Sequence, residues 1–170
     1  MHASLASLNG ILLQLRAASP DTPAAAPSSF EQLLAMTETH AHAAVSAIAD
    51  VRPAEATAVR RSVAAQHFAA AKWLEPTKRA RVLERAATWL LACRHALPHE
   101  REERHSELLA ELNQVLKSWV QALSGVQQGG SKLHAVKELY RIALTEGDSR
   151  GVAATLSSLA AVMVEVGIEM

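Results

Sequence analysis

Apolar residues recur at every third or fourth position through most of the chain, which is the spacing of an amphipathic α-helix. Between Phe30 and Ile48, for example, Leu34, Ala41 and Val45 follow this spacing. Proline is favoured at the first position of a helix, where its missing amide hydrogen has no intrahelical use. Prolines stand at or before the start of the next three apolar stretches: Pro53, Pro76 and Pro98. The pattern predicts an all-α protein, a helical bundle of five to seven helices that ends in a C-terminal helical hairpin.

The clearest apolar pattern lies between residues 99 and 123. Its members step by three and four residues in alternation, which is the heptad spacing of helices that pack along a seam. This seam consists of Leu109, Leu112, Leu116, Trp119 and Leu123. Because it spans only about two heptads, it favours the central helix of a bundle over an autonomous coiled coil. An oligomer interface along the seam is the alternative interpretation.

The N-terminal segment is set apart from the rest by its prolines. A short predicted helix carries Leu5, Leu8, Leu12 and Leu15 on one face, and three prolines follow between residues 20 and 27. We therefore predict three units: residues 1–27, a short helix with a Pro/Ala-rich linker; residues 28–124, the bundle core; and residues 131–170, a hairpin packed on that core. A helix this short is marginal in water on its own. We expect it to dock on a neighbouring subunit or in a partner's groove.

The C-terminal hairpin turns at Gly147 and Asp148, in the run Ala-Leu-Thr-Glu-Gly-Asp of residues 143–148. This run, followed by an alanine-rich amphipathic helix, resembles one tetratricopeptide-type helical hairpin. Val136, Leu139 and Ala143 fall at apolar positions of that family, whereas Tyr140 and Val152 stand where the family has small residues. The resemblance covers about a fifth of the chain and occurs once, while a solenoid of such hairpins needs about three. It implies a helical hairpin and no particular function.

Composition supports the helical prediction. The chain holds 34 alanines and 22 leucines among 170 residues, but only 13 valines and 4 isoleucines. A large sheet would need more β-branched and aromatic residues than this. The single cysteine, Cys93, excludes an internal disulfide, and its apolar neighbours favour a buried, unreactive thiol. The sequence has no stretch long and apolar enough for a transmembrane helix, and residues 1–15 lack the basic residues of a secretory signal. We therefore expect a cytoplasmic protein that does not bind membranes.

Candidate catalytic chemistry is sparse. Glu102 and His105 have the spacing of a di-iron ligand pair, but no second Glu-x-x-His occurs. Neighbouring arginines make this stretch more typical of a charged helix start. Neither a nucleophile elbow nor a phosphate-binding loop is present. His67 lies on an apolar stripe and is expected to be a core histidine. We expect no enzymatic activity, no cofactor and no metal.

Charge is unevenly distributed although its total is zero. Residues 52–94 hold nine basic and three acidic residues, for a net charge of +6, and the segments on either side each carry −3. Six of these basic residues are predicted to form one surface, the basic patch: Arg60, Arg61, Lys78, Arg79, Arg81 and Arg85. The patch either contacts the phosphates of a nucleic acid or faces the acidic start of the seam helix, such as Glu100, Glu103 and Glu107, within the fold or across a subunit boundary. Trp73 and Trp89 have apolar neighbours, so they do not indicate base-stacking platforms.

These observations favour a non-enzymatic helical interaction or assembly protein, an adaptor or an oligomeric structural component. Its expected partner is another protein or a second copy of itself, and homo-oligomers are the commoner form of assembly. The alternative is a helical protein that binds nucleic acid through the basic hairpin formed by the third and fourth predicted helices.

Overall fold

A computed structural model of the protein describes residues 27–96, 102–123, 129–146 and 148–166. These residues form six α-helices and no strand, which confirms the predicted all-α class and number of helices. The helices are α1 (Pro27–Ile48), α2 (Pro53–Ala71), α3 (Pro76–Ala96), α4 (Glu102–Leu123), α5 (Gly129–Thr145) and α6 (Ser149–Val166). The N-terminal helix predicted at residues 5–15 lies outside the described residues.

Helix boundaries lie close to the prolines and capping residues of the sequence. Pro53 and Pro76 occupy the first positions of α2 and α3, as their fixed backbone angle favours. At the start of α2, Arg52 also forms an ion pair with Glu55, with 3.3 Å between Nη1 and Oε2. Helix α5 begins at Gly129, two residues before the predicted boundary at residue 131. Capping residues indicate a helix start only to within a residue or two, because the first turn can extend past them.

The helices are arranged as consecutive antiparallel hairpins. Each helix packs most closely on the helices before and after it in sequence. Side chains also join alternate helices: α1 and α3 meet where Glu38 binds Arg85, with 2.9 Å between Oε2 and Nη1. Arg61 of α2 binds Glu111 of α4, and α3 reaches α5 through a hydrogen bond from Arg94 to Thr145. Helices α1, α3 and α5 thus form one layer, and α2 and α4 lie in the other.

The hydrophobic core runs through the middle of this stack and is centred on α4. One face of α4 is buried along its length, and its side chains meet alanines and leucines of α2 and α3. Alanine dominates the facing positions, with Ala56, Ala64, Ala86 and Ala87 all buried. Small side chains at a helix contact allow the backbones to approach closely. The core reaches α5, which contributes Ala135, Leu139 and Ile142.

Candidate functional site

Arg61, a member of the basic patch, is bound within the fold. Its Nε and Nη2 donate hydrogen bonds to the two carboxylate oxygens of Glu111 at 3.1 and 2.5 Å, and Nη2 lies 3.5 Å from Glu107. A two-point contact between guanidinium and carboxylate fixes both groups. The hydrogen bond to Glu111 also raises the pKa of Arg61. Arg61 therefore faces the acidic side of α4, one of the two environments expected for the patch.

Arg79 stabilises the turn between α2 and α3. Its Nε donates to the carbonyl oxygen of Ala71 at 3.1 Å, and its Nη2 donates to that of Leu74 at 3.0 Å. The last carbonyl groups of a helix have no intrahelical partner, so a guanidinium at this end satisfies them and complements the helix dipole. Arg79 thus acts as a cap for α2, a role that the charge count alone did not indicate.

The remaining members of the patch lie in different settings. Arg85 is half-exposed and binds Glu38 of α1. Lys78 is exposed and likewise interacts within the chain. Arg60 is half-buried and Arg81 is exposed, and none of the ion pairs between described residues uses either. Arg61, Arg79 and Arg85 are thus held by groups of the protein itself, which leaves fewer free cations for a nucleic acid than the sequence suggests.

The seam residues of α4 lie in the intramolecular core. Leu109, Leu112, Leu116, Trp119 and Leu123 are each at most 3% exposed. Their surfaces are occupied by α2, α3 and α5, so they offer no area to a second chain in this arrangement. The proposed docking residues Leu5, Leu8, Leu12 and Leu15 lie outside the described part of the chain.

Candidate reactive groups are few. Cys93 is buried, as expected, and burial raises the pKa of its thiol to about 11. His67 is also buried, and its Nδ1 lies 2.9 Å from the Val63 carbonyl oxygen. Within the described ranges, no group of three or more His, Cys, Asp or Glu side chains is arranged to hold a metal ion. The side chains of Glu102 and His105 lie outside what is described.

The outer face of α6 is a surface that sequence reasoning missed. From Ser149 to Val164 only Val162 is buried, whereas Leu156 is 45% and Val164 is 71% exposed. Ala153, Ser157 and Ala161 are exposed on the same helix. No residue between positions 151 and 164 is charged. We call these exposed side chains (Ala153, Ala154, Leu156, Ser157, Ser158, Ala161 and Val164) the α6 face. The uncharged run of fourteen residues was the signal that could have located it.

Three hydroxyl groups in the middle of α6 form hydrogen bonds inside the helix. Thr155 donates to the Gly151 carbonyl oxygen at 2.7 Å, and Ser157 and Ser158 donate to carbonyl oxygens four residues earlier, at 3.1 and 3.0 Å. A hydroxyl that bonds back to its own helix leaves no unpaired donor when the surface is covered. The hydroxyl groups of these three residues would therefore keep their hydrogen bonds if another protein covered the α6 face and excluded water from it. Sequences of this kind also occur in membranes, but no helix among the described residues is long and apolar enough to cross a bilayer.

Comparison with known proteins adds no assignment. No protein-family model matches the chain, and neither the curated proteins nor the solved structures include a significant match.

Proposed function

We propose that this protein is a non-enzymatic helical interaction and assembly protein, and that two copies associate through the α6 face. The observation that carries the proposal is the chemistry of that face: exposed Leu156 and Val164, no charge from residue 151 to residue 164, and hydroxyls already bonded within the helix. An amphipathic helix with one face exposed to solvent normally carries charged residues on that face. The absence of such charges between Arg150 and Glu165 favours a surface that another protein covers.

A second copy of the chain is the occupant that this surface suits best. In a two-fold symmetric dimer each residue near the axis faces its own counterpart, so any charge there would meet a like charge. The α6 face avoids this repulsion because it is neutral. Small residues at its exposed positions also allow two helices to approach closely. In stacked helical arrays an outermost unit needs a polar outer face to remain free in water. Among the described helices α6 lies at one end of the array, and its exposed residues from 151 to 164 include no charged side chain.

Sedimentation of the full chain tests the proposal. We expect the purified protein to sediment at twice 18.2 kDa, and the double variant Leu156→Glu, Val164→Glu to sediment as a monomer. The two carboxylates would meet their symmetry mates in a dehydrated contact, which costs several kcal/mol. Ala161→Arg, a single change on the same face, should have the same effect. All three positions are exposed or half-exposed, so helical content measured by circular dichroism should not change.

Val51→Glu is the matched control, because Val51 is an apolar residue as exposed as Val164 but lies in the turn between α1 and α2. This variant should remain a dimer. A wild-type protein that stays monomeric throughout the concentration series would overturn the proposal, and so would a Leu156→Glu, Val164→Glu variant that still dimerises. If the monomer instead binds mixed-sequence nucleic acid with a steep salt dependence that is lost in Arg60→Glu, Arg81→Glu, the basic patch is the functional surface.

A further inference from the structure

An open groove lies where the C-terminal ends of α2 and α4 meet the N-terminal end of α3. Its volume is about 720 Å³, and it is lined by the last turns of α2, the first turns of α3 and the last turns of α4. Phe68, Leu83 and Ala122 supply apolar walls. This size lies in the range of about 300–1,000 Å³ that is usual for binding pockets.

The charged groups at the groove are engaged elsewhere. Arg79 directs its hydrogen bonds to the carbonyl oxygens of Ala71 and Leu74. The Nζ of Lys72 lies 4.5 Å from the centre of the Trp73 ring. Trp73 itself is 49% exposed. With both cations held in this way, the groove suits an uncharged apolar occupant.

The first residues of α1 lie on the same side of the bundle as the groove. Two contacts, Glu38 with Arg85 and His42 with Trp89, each join residues 47 positions apart, so α1 and α3 run parallel. The same offset sets residue 29 level with Pro76, a residue of the groove wall. Because neighbouring helices lie about 8–10 Å apart, the start of α1 is within roughly 20 Å of the groove.

Residues 1–26 include a segment of matching chemistry. Residues 1–15 contain no Asp, Glu, Lys or Arg, and their leucines recur at helical spacing. The connection over residues 16–26 can span roughly 36 Å when extended, which exceeds the distance required. A tether of this length also keeps the segment at an effective concentration in the millimolar range, which favours the groove of its own chain over that of another.

We propose that residues 5–15 form a helix that lays its leucine face in this groove of the same chain. The groove then gains an apolar cover, and the short helix gains the tertiary contacts without which it would be marginal in water. This proposal does not depend on dimerisation through α6, since it concerns a different end of the molecule and a single chain.

Photo-crosslinking in the full chain tests it. A photo-crosslinking amino acid in place of Gln121, an exposed residue of the groove wall, should link to a peptide within residues 5–15 and give a product of monomer mass. The same amino acid in place of Val51, at the other end of α1, should give no such link. Leu8→Asp, Leu12→Asp should lower the yield at Gln121 by at least about tenfold, since two apolar side chains leave the contact.

Ser7→Asp, Gln14→Asp is the control for that change, because it adds two carboxylates on the opposite side of the predicted helix and keeps its leucines. Its yield should equal that of the parent protein. A product of twice the monomer mass would assign the segment to the groove of a second copy and overturn the proposal. A link from Gln121 that never includes residues 5–15 would overturn it as well.

Discussion

The His67 imidazole of α2 is fully buried, and only one of its nitrogens has a hydrogen-bond partner in the described part of the chain. Nδ1 must carry the proton, because it lies 2.9 Å from a carbonyl oxygen that can only accept. Nε2 is then an unprotonated acceptor, and it has no partner among the described residues. Burial lowers the pKa of His67 from 6.5, with a smaller contribution from the Arg85 charge, while the Val63 hydrogen bond and the Glu38 carboxylate oppose the shift.

This environment predicts that acid destabilises the protein through His67. Above pH 6.5 the imidazole is neutral in both the folded and unfolded states, so it contributes no pH dependence. Below pH 6.5 the unfolded chain binds a proton that the folded protein excludes, so the free energy of unfolding falls by up to about 1.4 kcal/mol per pH unit until the lower folded-state pKa is reached. Urea denaturation of wild type and His67→Leu between pH 7.5 and pH 5 measures the difference.

His67→Leu should lose this part of the pH dependence and keep its stability at pH 7.5, because leucine fills a similar volume without an unpaired acceptor. His40→Gln, a change at a half-exposed histidine of α1, is the control for the loss of an imidazole as such, and His67→Leu should differ from wild type more than this variant does. Equal pH slopes in wild type and His67→Leu would show that His67 does not titrate in this window.

The buried Cys93 thiol should react slowly in the folded protein. This thiol lies 3.7 Å from the Thr57 carbonyl oxygen inside the core, and a pKa near 11 instead of 9.0 leaves about a hundredfold less thiolate at neutral pH. We expect a thiol reagent to label the folded protein at least about a hundredfold more slowly than the urea-unfolded protein. Val51→Cys in a Cys93→Ala background should react rapidly in both states. Fast labelling of Cys93 in the folded protein would contradict the buried assignment.

The burial of His67 and Cys93 could be predicted from sequence, because each residue lies among apolar residues on the buried side of a helix. The partners of the arginines could not be. Arg61, Arg79 and Arg81 are equivalent in a charge count, yet one binds Glu111, one caps a helix and one is exposed. Which role each takes depends on how α2, α3 and α4 align, and the alignment is set by packing between helices that are distant in sequence.

At the scale of the element, the turn between α2 and α3 depends on Arg79. Arg79→Ala should lower the free energy of unfolding by about 1–3 kcal/mol, because the carbonyl groups of Ala71 and Leu74 lose a charged donor. Arg79→Lys should recover little of this loss, since a single ammonium cannot reproduce the planar guanidinium contact. Arg81→Ala, two residues away on the exposed side of α3, should change stability by less than about 0.5 kcal/mol.

Thermal and urea unfolding of the three variants measures these values. If Arg79→Ala and Arg81→Ala were equally stable, Arg79 would be a surface cation and the basic patch would regain a member. The result therefore bears on function as well as on folding.

Helix positions were predictable from sequence to within a few residues, because the spacing of apolar residues and the prolines act locally. The exposure of α6 was not. Val152, Leu156 and Leu159 recur at helical spacing, and this pattern predicts a buried stripe equally well whether the covering surface belongs to the same chain or to another. Only the arrangement of helices reveals that α5 covers one side of α6 and that nothing in the described residues covers the other.

At the scale of the whole molecule, stability should vary along the stack. In an array whose helices pack mainly on their sequence neighbours, each helix is stabilised by the contacts it makes locally. Helix α4 lies between two neighbours and buries seven large side chains: Leu108, Leu109, Leu112, Val115, Leu116, Trp119 and Leu123. Among the described helices α6 packs closely only on α5, and between Ser149 and Val164 it buries only Val162. Local opening should therefore be rarest in α4 and most frequent in α6.

Amide hydrogen exchange, measured at several protein concentrations, tests both the predicted difference in local opening between α4 and α6 and the proposed dimer. In dilute protein the amides of α6 should exchange fastest and those of α4 slowest. As concentration rises, a second copy covers the α6 face, so the local opening of α6 should become rarer and its amides protected. The α4 amides should gain protection only where their exchange requires global unfolding, because that event also breaks the dimer. The Leu156→Glu, Val164→Glu variant should keep rapid exchange in α6 at every concentration. Protection of α6 equal to that of α4 in dilute protein would mean that the single chain stabilises α6 without a second copy, and it would contradict assembly through the α6 face.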